Sequence, residues 1–301
     1  MYQFLTNPIR IIIIAVAGLL LEFRPLLLHA QTDAGISFAV KKEGTGRPII
    51  FIPGLDCSGE VWDDAVKHFS PQFTCYSLTL PGFAGQPPIA SDSILPVIVQ
   101  QLAAFIRQEK LERPIIVGHS LGGFLALDFA IHYPDLAGDL VIVSSAPFLP
   151  ALTMGSAVNV DSAAMIGQRI KGYMSTQTQE QVRQGRRYVA SMTKDSARVT
   201  QLMEMTVKSD QPTMGKVMYE LFSNDLRPFT GRIQSRILVL GDWISYKQYG
   251  ATKETTHSNL EEQYKKATHV TIAINDNSRH FIMFDEPVWF NKQIDHFLAS
   301  K

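Results

Sequence analysis

From residue 36 onward, short apolar runs alternate with longer amphipathic stretches. The short runs predict strands and the longer ones predict helices, because a buried strand needs only about four to eight apolar residues. The predicted strands are 36–40, 48–52, 74–80, 114–117, 140–143, 237–240 and 270–274, and the predicted helices are 62–69, 94–106, 121–131 and 281–298. Apolar strands separated by helices indicate an α/β fold, with a mostly parallel central sheet, helices on both faces and 36–40 at the sheet edge.

Between residues 150 and 232 the pattern changes to helical stretches with polar breaks and no strand-like run. Eight of the ten methionines fall in this segment: Met154, Met165, Met174, Met192, Met203, Met205, Met214 and Met218. Because methionine is flexible and polarizable, we interpret 150–232 as a helical lid, inserted between two strands, that can adapt to an irregular apolar substrate. The alternative is that these methionines fill gaps between packed helices. Residues 31–149 and 233–301 then form the two parts of the core.

The N-terminal segment differs in character from the rest of the chain. Arg10 precedes an apolar run, 11–21, which Glu22 and Arg24 interrupt before a second short apolar stretch ends near Ala30. This order of a basic region, an apolar region and a cleavage position after Ala30 is typical of a signal peptide. The run is shorter than the roughly 20 residues that a membrane-spanning helix needs. We therefore predict that 1–30 is a signal peptide and that the protein is exported, periplasmic or secreted. The alternatives are an uncleaved membrane anchor, and a mis-assigned start or buried helix.

Composition and charge narrow the class of partner. Lys plus Arg and Asp plus Glu both total 28, so no charge excess favours nucleic acid or an anionic membrane, and a small-molecule substrate is expected. Two cysteines, Cys57 and Cys75, either form a disulfide after export or are small buried side chains. No Cys/His cluster has metal-ligand spacing, and neither a metal nor an organic cofactor is predicted.

The motif at 118–122, Gly-His-Ser-Leu-Gly, carries the most specific chemistry in the sequence. It directly follows one predicted strand and directly precedes a predicted helix. A serine in that position lies on a sharp turn, which the flanking glycines permit because they have no Cβ. The N-terminus of the following helix favours negative charge on an attached oxygen. Ser120 is therefore predicted to be a nucleophile.

These residues resemble the α/β-hydrolase superfamily, in its lid-bearing serine hydrolase branch of esterase-, perhydrolase- and carbon–carbon-hydrolase-like members. The resemblance covers about residues 36–301, and the turn at 80–85, Leu-Pro-Gly-Phe-Ala-Gly, is similar to a structural turn of that family. The resemblance implies that the backbone N–H groups of Leu55 and Leu121 form an oxyanion hole. Leu55 follows Pro53-Gly54, where the family usually has His-Gly, so the backbone donors remain and a bracing side chain is lost.

The resemblance also implies a histidine base in the loop after the last strand. His280 fits, because it follows the predicted strand 270–274 and is followed by Asp285-Glu286-Pro287, which matches the family's usual sequel. His119 lies in the turn at 118–122, the nucleophile elbow of that family, and is expected to face away from the site. The other histidines are better explained as solvated or packed side chains.

The resemblance implies a third catalytic residue, a carboxylate that orients the histidine. At this position the sequence departs from the family pattern. Relatives usually carry Gly-x-x-Asp after the sixth strand, but here the segment is Gly241-Asp242-Trp243-Ile244, so that Ile244 occupies the expected position. We predict Asp242, two residues earlier, as the acid. Asp225 is a second candidate that resembles a helix cap, and the absence of a direct acid is a third.

Together these residues predict a hydrolase that cleaves an ester-type acyl bond of a small, apolar substrate through a Ser120 acyl-enzyme. Two alternatives remain open. The chain could be a ligand-binding protein that keeps the fold without turnover, or an acyl transferase or perhydrolase that passes the acyl group to an acceptor other than water.

Overall fold

The computed structural model describes residues 35–300, and the predicted signal peptide, 1–30, lies outside them. Seven strands form one sheet in the order β1-β3-β2-β4-β5-β6-β7. Only β1 is antiparallel to its neighbour, β3, and all other neighbouring pairs are parallel. The strands are β1 (Ala39–Glu43), β2 (Arg47–Ile52), β3 (Phe73–Thr79), β4 (Ile115–His119), β5 (Leu140–Val143), β6 (Ile237–Asp242) and β7 (Val270–Asn275). The predicted α/β class and mostly parallel sheet are therefore confirmed.

Twelve α-helices lie in the described part of the chain. They are α1 (Asp63–Phe69), α2 (Leu95–Gln108), α3 (Leu121–His132), α4 (Ala151–Met154), α5 (Val160–Met174), α6 (Gln179–Gln184), α7 (Arg186–Ser191), α8 (Ser196–Lys208), α9 (Gln211–Ser223), α10 (Lys253–Tyr264), α11 (Ile282–Asp285) and α12 (Pro287–Ala299). Short 3-10 helices occupy Gly59–Trp62, Arg227–Arg232 and Ile244–Tyr249. Within residues 35–300, none of the helices has the length and apolar character required to cross a membrane.

The edge strand begins later than the apolar run predicted. The run at 36–40 suggested a strand there, but β1 covers Ala39–Glu43, and all five of its residues are exposed. Phe38 is buried and Ile36 packs against the same apolar cluster, so this run contributes contacts to the core just before the strand pairs with β3. The prediction of an edge strand was correct, and its bounds were three residues too early.

The central strands separate two apolar layers. Successive residues of β2 point to opposite faces, with Ile49 and Phe51 in one buried cluster and Ile50 and Ile52 in the other. Cys57 and Cys75 are both buried free thiols, which agrees with their interpretation as small core side chains rather than a disulfide.

The segment between β5 and β6 contains the six helices α4 to α9 and, among its described residues, no strand. Helices α5 and α9 pack against each other, and Gly167 of α5 allows the close approach because an added Cβ would lie 2.6 Å from the Phe222 side chain. Glu220 of α9 joins this segment to the core by accepting hydrogen bonds of 2.7 Å from the backbone N–H groups of Ile94 and Leu95, at the start of α2. The role of 150–232 as a lid stays a prediction.

Candidate active site

Ser120 occupies the turn between β4 and α3 in a strained backbone conformation, with φ 51° and ψ −116°. Non-glycine residues rarely adopt positive φ, and such strain is concentrated at functional sites. The flanking glycines make the turn possible. A Cβ on Gly118 would lie 2.2 Å from the Gly122 carbonyl oxygen, and one on Gly122 would lie 2.2 Å from the Ile52 carbonyl oxygen. The sharp strand-to-helix turn predicted from the motif is present.

His280 lies in the loop between β7 and α11, and its side chain is 13% exposed. The elbow histidine, His119, lies directly against it. The two imidazole ring centroids are 4.6 Å apart, and His119 Nε2 lies 3.0 Å from the His280 carbonyl oxygen. The expectation that His119 faces away from the site is therefore wrong. The tight turn at Ser120 places the buried His119 ring against the His280 loop, where it contacts the backbone of that loop.

Side-chain hydrogen bonds shape the loop that carries His280. Asn275, the last residue of β7, accepts hydrogen bonds from the backbone N–H groups of Asn277 and Ser278 at 2.8 and 2.7 Å. This turn reverses the chain directly after the strand. Arg279 then donates two hydrogen bonds of 2.9 Å, to the carbonyl oxygens of Ala190, in the last turn of α7, and of Thr193, between α7 and α8. His280 is thus held between the end of the sheet and the helical insertion.

Asp242 is the last residue of β6, and its side chain is fully buried. Its Oδ1 lies 4.0 Å from His280 Nδ1, on the imidazole nitrogen that an orienting acid would contact. Within residues 35–300, neither carboxylate oxygen of Asp242 has a hydrogen-bond partner, so both are free to accept one. In structures without substrate, catalytic hydrogen bonds are often long.

The other predicted acid, Asp225, makes different contacts. Its two carboxylate oxygens accept hydrogen bonds of 2.9 and 3.0 Å from Arg227 Nε, and Oδ1 also accepts one of 3.0 Å from the Arg227 backbone N–H. Arg227 in turn donates to the carbonyl oxygens of Ser156 and Val158. Asp225 therefore pairs with Arg227, the first residue of the 3-10 helix Arg227–Arg232, and orders the end of the insertion. The N-cap of that helix is Leu226, so the helix-cap interpretation of Asp225 is wrong by one residue.

A cavity of about 300 Å³ opens at the carboxyl ends of the strands, and Ser120 and His280 both contribute to its wall. Leu55 and Leu121, the predicted oxyanion donors, line the same cavity. Leu121 is the first residue of α3, where a backbone N–H has no acceptor within the helix. The predicted nucleophile, base and backbone donors are thus brought together, with Asp242 behind His280.

Most of the remaining cavity wall is apolar and comes from the insertion. The contributing residues are Leu152, Val189, Met192, Leu202, Met218, Leu221 and Phe222. Only Met192 and Met218 of the eight methionines between 150 and 232 belong to this wall, whereas Met203, Met205 and Met214 are buried in packing. Gap filling between packed helices therefore describes Met203, Met205 and Met214, whereas adaptation of Met192 and Met218 to a substrate stays a prediction.

The sequence motifs do not indicate a polar part of the cavity. Asp56 and three tyrosines, Tyr188, Tyr246 and Tyr249, line it in addition to the predicted residues. Asp56 directly follows Leu55, so the one available signal was an acidic residue next to a predicted oxyanion donor. The tyrosines gave no signal, because they lie on α7 and on the 3-10 helix Ile244–Tyr249 and meet only in the folded chain.

Burial is the main influence on the ionisable groups of the site. It lowers the pKa of His280 below that of an ordinary histidine, and the Asp242 carboxylate opposes this shift. It also holds the pKa of His119 well below its usual range, with a further lowering by His280. Both imidazoles are therefore neutral near pH 7. A neutral His280 is the form that can take a proton from a serine hydroxyl.

Two curated relatives share part of this sequence. A pimeloyl-(acyl-carrier protein) methyl ester esterase from Vibrio atlanticus is 34% identical over 125 residues, covering 40% of this chain and 46% of the esterase. The same enzyme from Vibrio vulnificus is 29% identical over 105 residues, covering 35% of this chain and 39% of the enzyme. The chain thus matches less than half the length of these relatives.

Solved structures resemble nearly all of the chain. A hydrolase from Pseudomonas aeruginosa superposes with a TM-score of 0.73 at 15% identity, covering 89% of this chain and 97% of the other. An esterase from Exiguobacterium antarcticum gives 0.69 at 14% identity, covering 87% and 96%. At these identities the likeness establishes the fold alone. The model of the alpha/beta hydrolase family matches residues 49–293, and with the nucleophile elbow and sheet described above, the chain belongs to that family.

Proposed function

We propose that this protein is a serine esterase that cleaves an ester-type acyl bond through an acyl-enzyme on Ser120. Ser120, His280 and two backbone donors line one cavity, and the Asp242 carboxylate lies 4.0 Å from the His280 ring. This arrangement is the observation that carries the proposal. Relatives named as methyl ester esterases support ester substrates.

The proposed reaction has two stages, acylation and deacylation of Ser120. His280 accepts the Ser120 hydroxyl proton as Oγ attacks the ester carbonyl carbon, and the N–H groups of Leu55 and Leu121 stabilise the resulting oxyanion. His280 then donates that proton to the departing alcohol, which leaves the acyl group on Ser120. A water molecule, deprotonated by His280, releases the carboxylic acid and restores the serine. Asp242 orients the imidazole and stabilises its charged form.

The apolar wall supports the size and character of the substrate. A cavity of about 300 Å³ admits a small ester, and the leucines and methionines of the insertion favour an apolar group on one side of the bond. Because the insertion supplies most of this wall, we propose that 150–232 acts as the lid that determines specificity.

A fluorophosphonate probe tests the nucleophile. We expect the wild-type protein to be labelled covalently and the Ser120→Ala variant to lose all labelling, because the probe reacts with the serine hydroxyl that His280 activates. Ser191→Ala is the matched control, since Ser191 lines the same cavity but donates its hydroxyl to the Tyr188 carbonyl oxygen.

Short-chain p-nitrophenyl esters provide the second measurement, and Ser120→Ala should reduce their turnover by at least about a thousandfold. A well-folded wild-type protein that neither reacts with the probe nor hydrolyses any ester would contradict the proposal and favour a ligand-binding protein. Faster acyl transfer to an added alcohol or to hydrogen peroxide than to water would favour the transferase or perhydrolase alternative.

A further inference from the structure

Asp56 is an acidic residue placed inside the cavity without a role in the proposed reaction. It lies one residue after Leu55, in a loop where its own backbone has a positive φ of 65°. Among the described residues, its Oδ1 is buried and has no hydrogen-bond partner. A buried polar atom without a partner destabilises the folded protein, and at a residue that lines a cavity a ligand group can supply the missing partner.

The insertion holds this loop in place. The Ser209 hydroxyl, just after α8, contacts the Asp56 carbonyl oxygen at 3.3 Å and accepts a hydrogen bond of 2.8 Å from the Ala84 N–H. The Ser58 hydroxyl lies 3.7 Å from the Met205 sulfur of α8. These contacts fix the backbone on both sides of Asp56, which keeps this residue in the wall of the cavity.

The described wall of the cavity contains an acidic side chain and no lysine or arginine. Among the side chains that the structure describes, Asp56 supplies the one carboxyl group of this wall. Tyr188, Tyr246 and Tyr249 add aromatic rings to the wall, and Tyr188 and Tyr249 are exposed at its rim. A carboxylate beside aromatic rings attracts ammonium groups, whereas a carboxylate on the substrate would meet repulsion without a compensating base.

We propose that Asp56 is a specificity-determining residue that selects esters carrying a cationic, ammonium-type group and disfavours esters carrying a carboxylate. This inference rests on the proposed esterase function and deepens it by adding the charge of the substrate.

The ionisation of Asp56 gives the proposal a pH signature. Burial raises the pKa of Asp56 to about 7, against the opposing effect of the Ser209 hydroxyl. The ionisable groups that face it are the Cys57 thiol on its own loop and the Tyr188 phenol on α7. The pKa of both is raised, through burial for Cys57 and, for Tyr188, through desolvation and the nearby Tyr249 and Asp56 side chains, so they stay neutral there. Between about pH 6 and 8, Asp56 therefore changes from neutral to anionic, and preference for a cationic ester increases as pH rises.

The experiment compares pairs of esters that have the same shape and differ only in a permanent charge. Acetylcholine and 3,3-dimethylbutyl acetate place the charge on the alcohol side. The p-nitrophenyl esters of 4-(trimethylammonio)butanoate and 5,5-dimethylhexanoate place it on the acyl side. The readout is the ratio of kcat/KM for the cationic ester to that for the neutral one. Because His280 acts on both members of a pair, its titration cancels in the ratio.

We expect at least one pair to give a ratio that increases by about tenfold from pH 6 to pH 8 in the wild type. In Asp56→Asn the ratio should be about tenfold lower at pH 8 and independent of pH, while the neutral ester is still cleaved. Asp135→Asn removes the same charge at an exposed position and should leave the ratio unchanged. If Asp56→Asn does not fold, the pH dependence of the wild-type ratio still tests whether the cavity selects cationic esters.

Two results would overturn the inference, and they differ in what they leave standing. Wild-type protein that cleaves the neutral esters with ratios independent of pH in both pairs would exclude charge selection by Asp56 and leave the esterase proposal intact. Wild-type protein that cleaves no ester and is not labelled by the fluorophosphonate would overturn both.

Discussion

Asp242 is the residue whose position most affects the proposed chemistry, because a histidine without an orienting acid loses its preferred tautomer. Its carboxylate is fully buried and 4.0 Å from His280 Nδ1. We predict that Asp242→Asn lowers kcat for a neutral p-nitrophenyl ester by about a thousandfold or more, with little change in KM.

Asp225→Asn is the control for this prediction. Asp225 is bound to Arg227, so its loss should lower the free energy of unfolding while kcat changes less than about threefold in the folded protein. Steady-state kinetics and urea denaturation separate these effects. Equal losses of kcat in the two variants would show that Asp242 is not the acid.

The residues of the site differ in how far the sequence could identify them. Ser120 and His280 stand in local motifs, and each motif encodes its own turn. Asp242 was harder to place because β6 continues through the Gly241-Asp242 pair and a 3-10 helix begins at Ile244, which leaves no loop for the usual acid position. Asp56 could not be assigned, since the cavity that gives it meaning is completed by the distant helices of the insertion.

At the level of elements, the β7–α11 loop depends on the insertion for its conformation. Asp285 of α11 accepts hydrogen bonds from the Thr193 hydroxyl at 2.7 Å and from the backbone N–H groups of Lys194 and Arg279, both at 2.8 Å. The Phe281 N–H also donates to the Met192 carbonyl oxygen at 3.1 Å. The segment that joins α7 to α8 thus positions His280, although it lies about 90 residues away in the sequence.

We predict that Asp285→Asn lowers the free energy of unfolding by about 1–3 kcal/mol, because the amide keeps only one oxygen to serve donors that now use two. The displaced His280 loop should also lower kcat by about tenfold. Glu286→Gln is the neighbouring control. It removes an exposed ion pair with Lys194, which contributes at most about 1 kcal/mol, and it should leave kcat unchanged. Urea denaturation and ester kinetics measure both variants, and indistinguishable effects would exclude the positioning role of Asp285.

The elements themselves were predictable where the apolar pattern is strong. The buried strands β2 to β7 all appear close to their predicted positions, since a run of branched apolar residues has few alternatives in a buried sheet. Helix α10 was missed because its sequence is mostly polar, with only four buried residues: Thr256, Leu260, Gln263 and Tyr264. The predicted closing helix 281–298 is divided into α11 and α12 at Glu286, because Pro287 favours the first position of a new helix.

At the scale of the whole molecule, the parallel order of β2, β4, β5, β6 and β7 explains why distant residues share one cavity. The carboxyl ends of these strands lie at the same edge of the sheet, and the loops that follow β2, β4 and β7 carry Leu55, Ser120 and His280. Ligands in open α/β sheets bind at this edge. The sequence predicted the parallel class from its alternation of strands and helices. The strand order and the cavity shape depend on long-range packing, which no local pattern encodes.

The burial of His280 beside the Asp242 carboxylate also predicts how activity varies with pH. His280 must be neutral to act as a base, and burial lowers its pKa below the ordinary value of 6.5. With a neutral ester, kcat/KM should therefore increase with pH through a midpoint below 6.5 and be level above it. Because the Asp242 carboxylate favours the charged imidazole, Asp242→Asn should move that midpoint to still lower pH, with a much smaller plateau. Repeating both profiles in an Asp56→Asn background removes the second carboxyl that titrates near pH 7. A midpoint above 6.5 in that background, or one that moves upward in Asp242→Asn, would contradict the assignment of His280 as a buried base paired with Asp242.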